Sequence, residues 1–250
     1  MTDSIPTTLR LLHIIEELAT AGQPLTPTAL NQNLGLPKPS IHRLIKTLQD
    51  NGFIESDVTG RTYRPATRLK QMASGILSSQ DLRMARHEIL AQLSRDIGET
   101  CNIAVPHRRG MTYLERVETQ WPLRIQLPVG SQVPHYCTAS GKLYLSTLSY
   151  PHLAAYLDAV PLMAQTAQTV TDAETLRRAL RDIRKQGYAT DYQEFMQEML
   201  ALAVPIYDGH DRLVATLSVH APMQRCDHAQ LLTYLPKLQR AAAQLTALLN

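Results

Sequence analysis

The sequence predicts an α+β chain in two parts: three helices and a β-hairpin, then a long helix leading into antiparallel strands with helices packed outside them. Three observations predict it. Apolar residues recur at helical spacing three times before residue 50. Two short extended runs around a Gly-containing turn follow them. Beyond residue 98, strand-like and helix-like runs succeed one another with no internal repeat and no low-complexity tract.

The first helix lies between Pro6 and Gly22, on Leu9, Leu11, Leu12, Ile14, Ile15 and Leu18. Proline suits a first turn and glycine a C-terminal stop. In the second, Thr26 is placed to cap, Pro27 to open the turn, and Leu30 and Leu34 to face inward before Gly35 breaks it. Leu36-Pro37-Lys38-Pro39-Ser40 reads as a turn into the third helix. Its apolar face is Ile41, Leu44, Ile45 and Leu48, and Asn51-Gly52 ends it. Phe53–Ser56 and Thr62–Pro65 then form a hairpin around Asp57–Arg61. Three helices followed by a hairpin wing is the winged helix-turn-helix order.

Residues 67–97 read as a linker helix, weakened at Gly75 and Ser78-Ser79. Strands are expected at Cys101–Pro106, Met111–Val117 and Arg124–Leu127. Helices are expected over Ala139–Leu148 and Asp172–Gln186. A second hairpin pairs Leu200–Tyr207 with Leu213–His220, and a last helix covers Asp227–Leu249. The division expected is therefore 1–66, 67–97 and 98–250.

The chain has 250 residues and a net charge of only +3. Its basic residues are not evenly spread. Between Gly35 and Lys70 stand seven basic side chains, Lys38, Arg43, Lys46, Arg61, Arg64, Arg68 and Lys70, against Asp50, Glu55 and Asp57. A local basic patch of this kind suits phosphate contact. With its apolar face buried, the third helix would present Ser40, His42, Arg43, Lys46 and Thr47, which donate hydrogen bonds to base edges and phosphates. Lys38, Ser40, His42 and Arg43 fall in the N-terminal turns that enter a major groove, and Lys46 lies nearer the backbone. Thr59, Gly60 and Arg61 at the wing tip would reach a minor groove or a phosphate, with backbone contacts from Arg64 and Arg68. The plain alternative is a solvated amphipathic helix.

Three widely spaced cysteines, Cys101, Cys137 and Cys226, argue for a reducing compartment. No signal peptide and no apolar run of membrane-span length is seen, so a cytoplasmic protein without membrane contact is expected. Gly141-Lys142 is followed by Leu143, which fails the P-loop pattern, and Ser140 is not in a nucleophile elbow. The pairs Cys226/His228 and His135/Cys137 lack partners at metal-site spacing. No catalytic residue, metal or cofactor is expected.

Residues Leu34-Gly35-Leu36-Pro37-Lys38-Pro39-Ser40-Ile41-His42-Arg43-Leu44-Ile45-Lys46-Thr47-Leu48, with Gly52-Phe53-Ile54 and Tyr63-Arg64-Pro65, resemble the DNA-binding segment of the IclR family of bacterial regulators. The resemblance extends over Gly130–Lys142, over Gly187–Glu194 running on to Val204-Pro205-Ile206, and over Ala215–Pro222. It implies a GAF-like sensor domain whose pocket binds a small organic acid. The residues implied there are Thr138, Ala139, Ser140, Asp191, Ala201, Ser218 and His220. A helix opening at Thr138–Gly141 offers N–H groups to a carboxylate. Ser218 and His220, two apart on one strand, share a face, and His220 would pair with the acid and titrate near neutral pH. Asp191 and Glu194 read as structural or indirect partners.

Four departures from the family pattern stand out. Arg64-Pro65 replaces a Leu-Gly pair. Ala201 stands where a Cys is usual, Glu198 where a Gly is, and His220-Ala221-Pro222 where Ser-Gly-Pro is. The last three suggest a larger or aromatic acid. The expected partners are double-stranded operator DNA, a carboxylate effector, and copies of the chain in a homodimer or homotetramer. The rival is a small-molecule-binding protein or enzyme whose N-terminal helices serve only protein interaction.

Overall fold

The computed structural model describes residues 6, 9–57, 59–77, 80–107, 109–122 and 127–249. The chain divides into two compact units, Met1–Gln80 and Asp81–Asn250.

In the first unit, helices α1 (Leu9–Ala21), α2 (Pro27–Leu30) and α3 (Lys38–Asp50) precede strands β1 (Ile54–Ser56) and β2 (Tyr63–Pro65) and helix α4 (Thr67–Leu77). Its core is Ile14, Leu18, Leu30, Ile41, Leu44, Ile45, Leu48 and Ile54. Each such side chain contributes about 1.5–3 kcal/mol on burial, so this cluster outweighs every surface ion pair of the unit. Thr26 caps α2 by accepting from Ala29 N–H. The helix α3 starts at Lys38, inside the stretch read as a turn, because Pro39 fits its first positions. The turn before it is held by Asn31, whose amide donates to Leu36 O (2.7 Å) and accepts from Leu36 N (2.9 Å). Gly35 takes φ +58° there. An isolated bridge, Leu25 to Tyr63, ties the approach to α2 onto β2.

The second unit is built on a six-stranded antiparallel sheet in the order β5-β4-β3-β8-β7-β6. The strands are β3 (Thr100–His107), β4 (Gly110–Val117), β5 (Gln132–Val133), β6 (Ala189–Tyr192), β7 (Met199–Tyr207) and β8 (Leu213–Pro222). One face carries Cys101, Ile103, Leu200, Leu202, Val204, Ile206, Leu217 and Val219, packed with Leu90 and Leu93 of α5 (Gln80–Ile97), Leu231 of α9 (His228–Thr233), and Leu238 and Leu245 of α10 (Leu235–Ala247). The opposite face lies under α6 (Ala139–Thr147), against which α8 (Ala173–Gln186) packs. Between these two helices the chain forms α7 (Tyr150–Ala159).

Several expectations change. The expected linker helix 67–97 is described as α4 and α5, and residues 78 and 79 lie outside the described residues. Of the expected strand Arg124–Leu127, residues 124–126 lie outside them too. The strand beside β4 is β5, at Gln132–Val133. The final helix is two helices, because Pro236 falls in the first turn of α10 and has no N–H to continue α9. The elements α7 and β6 were not expected.

Gly141 explains the seating of α6: a Cβ there would stand 2.3 Å from both Cα and O of His135. Gly141→Ala must push α6 off that backbone. It is expected to lower stability by about 1–3 kcal/mol, the usual cost of overpacking, in urea unfolding followed by circular dichroism. An unchanged midpoint would contradict the close approach.

Candidate functional site

The N-terminal surface is set by α3. Burying Ile41, Leu44, Ile45 and Leu48 leaves Lys38, His42, Arg43, Lys46 and Thr47 exposed and Ser40 half-buried. Lys46 reaches Asp50 at 3.9 Å, an exposed pair of the kind worth about 0–1 kcal/mol and readily exchanged. The wing tip is organised by Asp57. Its carboxylate accepts from the backbone of Arg61 (2.9 Å) and Thr62 (3.2 Å) and from the Thr59 hydroxyl (2.7 Å). These bonds hold its pKa below the ordinary value. Thr59 thus has its hydroxyl turned onto Asp57, while the Arg61 side chain is exposed. Arg64 bonds Glu55 at 2.8 Å, and Arg68 donates to Asn51 O at 2.8 Å and stacks on Phe53 at 4.1 Å. Both therefore serve the wing's own geometry. Asn31 and Asp57 were missed as organisers of the turn and the wing; an Asn at a helix end and an Asp opening a turn were the available signals.

The second site is the sheet face under α6. Ser218 and His220 on β8 are buried there. In register, Ser218 lies between Asn102 and Ala203, and His220 lies between Thr100 and Ala201. Asp191 on β6 pairs with Ala201. Ala139 and Ser140 open α6 above this face, and Thr138 is its N-cap. All seven expected pocket residues are buried in this one unit.

Among the buried polar atoms of this unit without a hydrogen-bond partner are Asn102 Nδ2, Ser140 Oγ, Ser218 Oγ, His220 Nδ1, Asp191 Oδ2 and Glu194 Oε2. Each such atom costs about 1–3 kcal/mol unless something satisfies it, a cost that a polar ligand would relieve. The hydroxyl of Thr138, by contrast, is committed. It accepts from Gly141 N at 3.1 Å and donates to Pro134 O at 2.7 Å.

The titration of His220 departs from expectation. Burial, followed by the charge of Arg116, pushes its pKa down to about 3, so the imidazole is neutral at neutral pH and does not switch there. Asp191 is pushed the other way, up to about 7, chiefly by burial and against the pull of Lys142. Its Oδ1 accepts from Glu194 N at 2.7 Å. Lys142 donates to the carboxylate of Glu194, and both side chains are buried. This pair ties α6 to the segment after β6.

All three cysteines are buried. Desolvation raises the Cys137 thiol to about 12 and Cys226 to about 11, and raises Cys101 further, so none is an activated nucleophile. Among the described residues, no three His, Cys, Asp or Glu side chains gather as a metal group, and no helix is long and apolar enough to cross a membrane.

A basic helix behind a clamped turn, with a wing beside it, has the arrangement of a DNA-binding domain, and the sheet face with unsatisfied polar atoms under a helix is a candidate ligand site. Together they define a ligand-responsive transcriptional regulator. The family model for the bacterial transcriptional regulator IclR C-terminal domain matches residues 74–247, and the IclR helix-turn-helix domain model matches residues 7–58. The "Probable transcriptional regulator SauR" of Cupriavidus necator is 38% identical over 95% of this chain and 94% of its own. Among solved structures, the Thermotoga maritima IclR covers 97% of this chain and 98% of that one, with TM-score 0.65 and 24% identity. An IclR homolog from Microbacterium hydrocarbonoxydans, complexed with 4-hydroxybenzoate, covers 98% and 99%, with TM-score 0.62 and 22% identity. The chain belongs to the IclR family of bacterial transcriptional regulators, with a helix-turn-helix domain and a C-terminal ligand-binding domain.

The raised pKa of Asp191 has a definite sign in stability. An unfolded Asp ionises near 3.8 and the folded one near 7. Between these values the folded state holds a proton that the unfolded state has lost, so stability falls as pH rises through the window. Asp191→Asn is expected to flatten that fall and to melt higher than wild type at pH ~7.5, as differential scanning calorimetry at several pH values would read. Parallel profiles for the two proteins would place the ionised form in the fold.

Proposed function

We propose that the protein binds double-stranded operator DNA through α3 and the wing tip, and that a small organic carboxylate in the second unit controls this binding. The carrying observation is the outward face of α3, where Lys38, His42, Arg43 and Lys46 are exposed beside the half-buried Ser40. Base and phosphate contacts fall to Lys38, Ser40, His42, Arg43 and Lys46, with Thr59 and Arg61 on the flanking groove or backbone. Residues 1–66 form the DNA-binding part, 67–97 the connection, and 98–250 the effector-binding part. The acting form is a homodimer or homotetramer in the cytoplasm, meeting half-sites spaced by whole helical turns. It is a regulator and not an enzyme.

Thr138, Ala139, Ser140, Asp191, Ala201, Ser218 and His220 form the effector site. The unsatisfied polar atoms support a polar ligand, and the bound 4-hydroxybenzoate of the Microbacterium protein supports an aromatic acid. To act, the acid must bind one state of the protein more tightly than the other.

The test is titration of DNA flanking the protein's own gene at several salt concentrations, with and without small carboxylic acids. Selective binding that weakens steeply with salt is expected. Arg43→Ala is expected to lower specific affinity by about 1–3 kcal/mol if Arg43 reads a base, while the effector-binding part stays folded. Equal affinity of the two proteins for the operator would remove α3 from the interface.

A further inference from the structure

The face under α6 has two chemically opposite ends. At one end, Asp191 and Glu194 each keep a buried oxygen without a partner, Oδ2 and Oε2, beside Lys142. At the other, Arg116 of β4 stands opposite Asn102 and donates to its Oδ1 at 2.8 Å, with Nε on Glu118 at 3.2 Å. The side chain of Arg116 is only 3% exposed. One cross-strand row runs from Arg116 through Asn102 and Ser218 to Ala203, and the next from Thr100 through His220 and Ala201 to Asp191.

A register shift puts Arg116 there. Pairing runs Ala104 to Tyr113 but Ile103 to Glu115, so Leu114 is passed over. Without that bulge Glu115 would face Asn102, and the row would open on an anion. With it, Glu115 turns to the other face and pairs with Arg86 of α5 at 3.3 Å. The donors Asn102 Nδ2 and Ser218 Oγ, and His220 Nδ1, then lie unsatisfied next to a buried guanidinium.

We infer that the effector lies with its carboxylate on Asn102, Ser218 and His220 beside Arg116, and with a hydrogen-bond donor such as a hydroxyl directed to Asp191 and Glu194. This rests on the proposed carboxylate-responsive site and gives it a direction. The N-terminus of α6 is the poorer seat for the acid. The Thr138 hydroxyl is already used on Pro134 and Gly141, while Asp191 lies on the edge strand that α6 contacts and Glu194, in the segment after it, is bonded by Lys142 of α6. An anion gains from the buried guanidinium at the Arg116 end, while the oxygens of Asp191 and Glu194 at the other end suit a hydrogen-bond donor. The class of effector is a hydroxy acid, with Arg116 and Asn102 as residues that determine specificity.

The experiment measures binding to the full chain by calorimetry for three pairs: propionate and 3-hydroxypropionate, benzoate and 4-hydroxybenzoate, phenylacetate and 4-hydroxyphenylacetate. The matching 4-hydroxybenzamide is included as an uncharged control. In at least one pair the hydroxy acid is expected to bind at least tenfold tighter than its partner. Arg116→Gln is expected to cost that acid at least tenfold while leaving the amide within twofold. Arg116→Lys, which keeps the charge, should fall between, and Asn102→Ala gives the same reading should Arg116→Gln not fold. Acids that bind wild type, Arg116→Gln and Asn102→Ala alike overturn this orientation and leave the carboxylate reading standing. Binding of none of the acids refutes the carboxylate effector itself, and this inference with it.

Discussion

A sheet of six antiparallel strands whose strands are buried on both faces needs two covers, and here the two covers differ in kind. Large aliphatic side chains fill the face under α5, α9 and α10, where dispersion and water exclusion dominate and the buried Arg86–Glu115 pair ties α5 to β4. The other face carries the small Ala201 and Ala203 beside the polar Ser218, Asn102 and His220. Everything specific to the ligand-binding unit follows from this asymmetry. The first face fixes the sheet; the second leaves polar atoms buried under α6, whose seating on the His135 backbone depends on Gly141.

That contrast was partly legible before any coordinates. Leu200-Ala201-Leu202-Ala203 alternates large and small with period two, and Ser218 and His220 share parity on β8. The division of α3 into a buried and an exposed face was fully readable, because a 3.6-residue period needs no tertiary information. What was not readable depends on partners distant in sequence. The facing of Arg116 is set by a bulge, and one passed-over residue exchanges the two faces of a strand. The neutrality of His220 depends on burial and on Arg116, neither of which its neighbours in sequence reveal. The break before α10 was signalled by Pro236 and lost under a strong apolar pattern.

In the first unit, the polar side chains divide into two kinds of work. Asn31, Asp57, Arg64 and Arg68 spend their hydrogen bonds on the domain itself, shaping the turn and the wing. Lys38, His42 and Arg43 stand exposed on α3. Charge alone does not separate these groups, since arginines occur in both. Geometry does: residues that hold the scaffold lie within about 3 Å of a backbone or carboxylate partner, as expected of hydrogen bonds.

The burial of all three cysteines has a practical side. Thiols kept protonated inside the fold react slowly with alkylating reagents, so a single cysteine introduced at an exposed position such as Arg61 or Lys46 would be the fast-reacting thiol of the native molecule. A fluorophore or spin label could then be attached to the wing or to α3 with Cys101, Cys137 and Cys226 left in place. The motion of either element could be followed in a chain whose interior is otherwise unaltered.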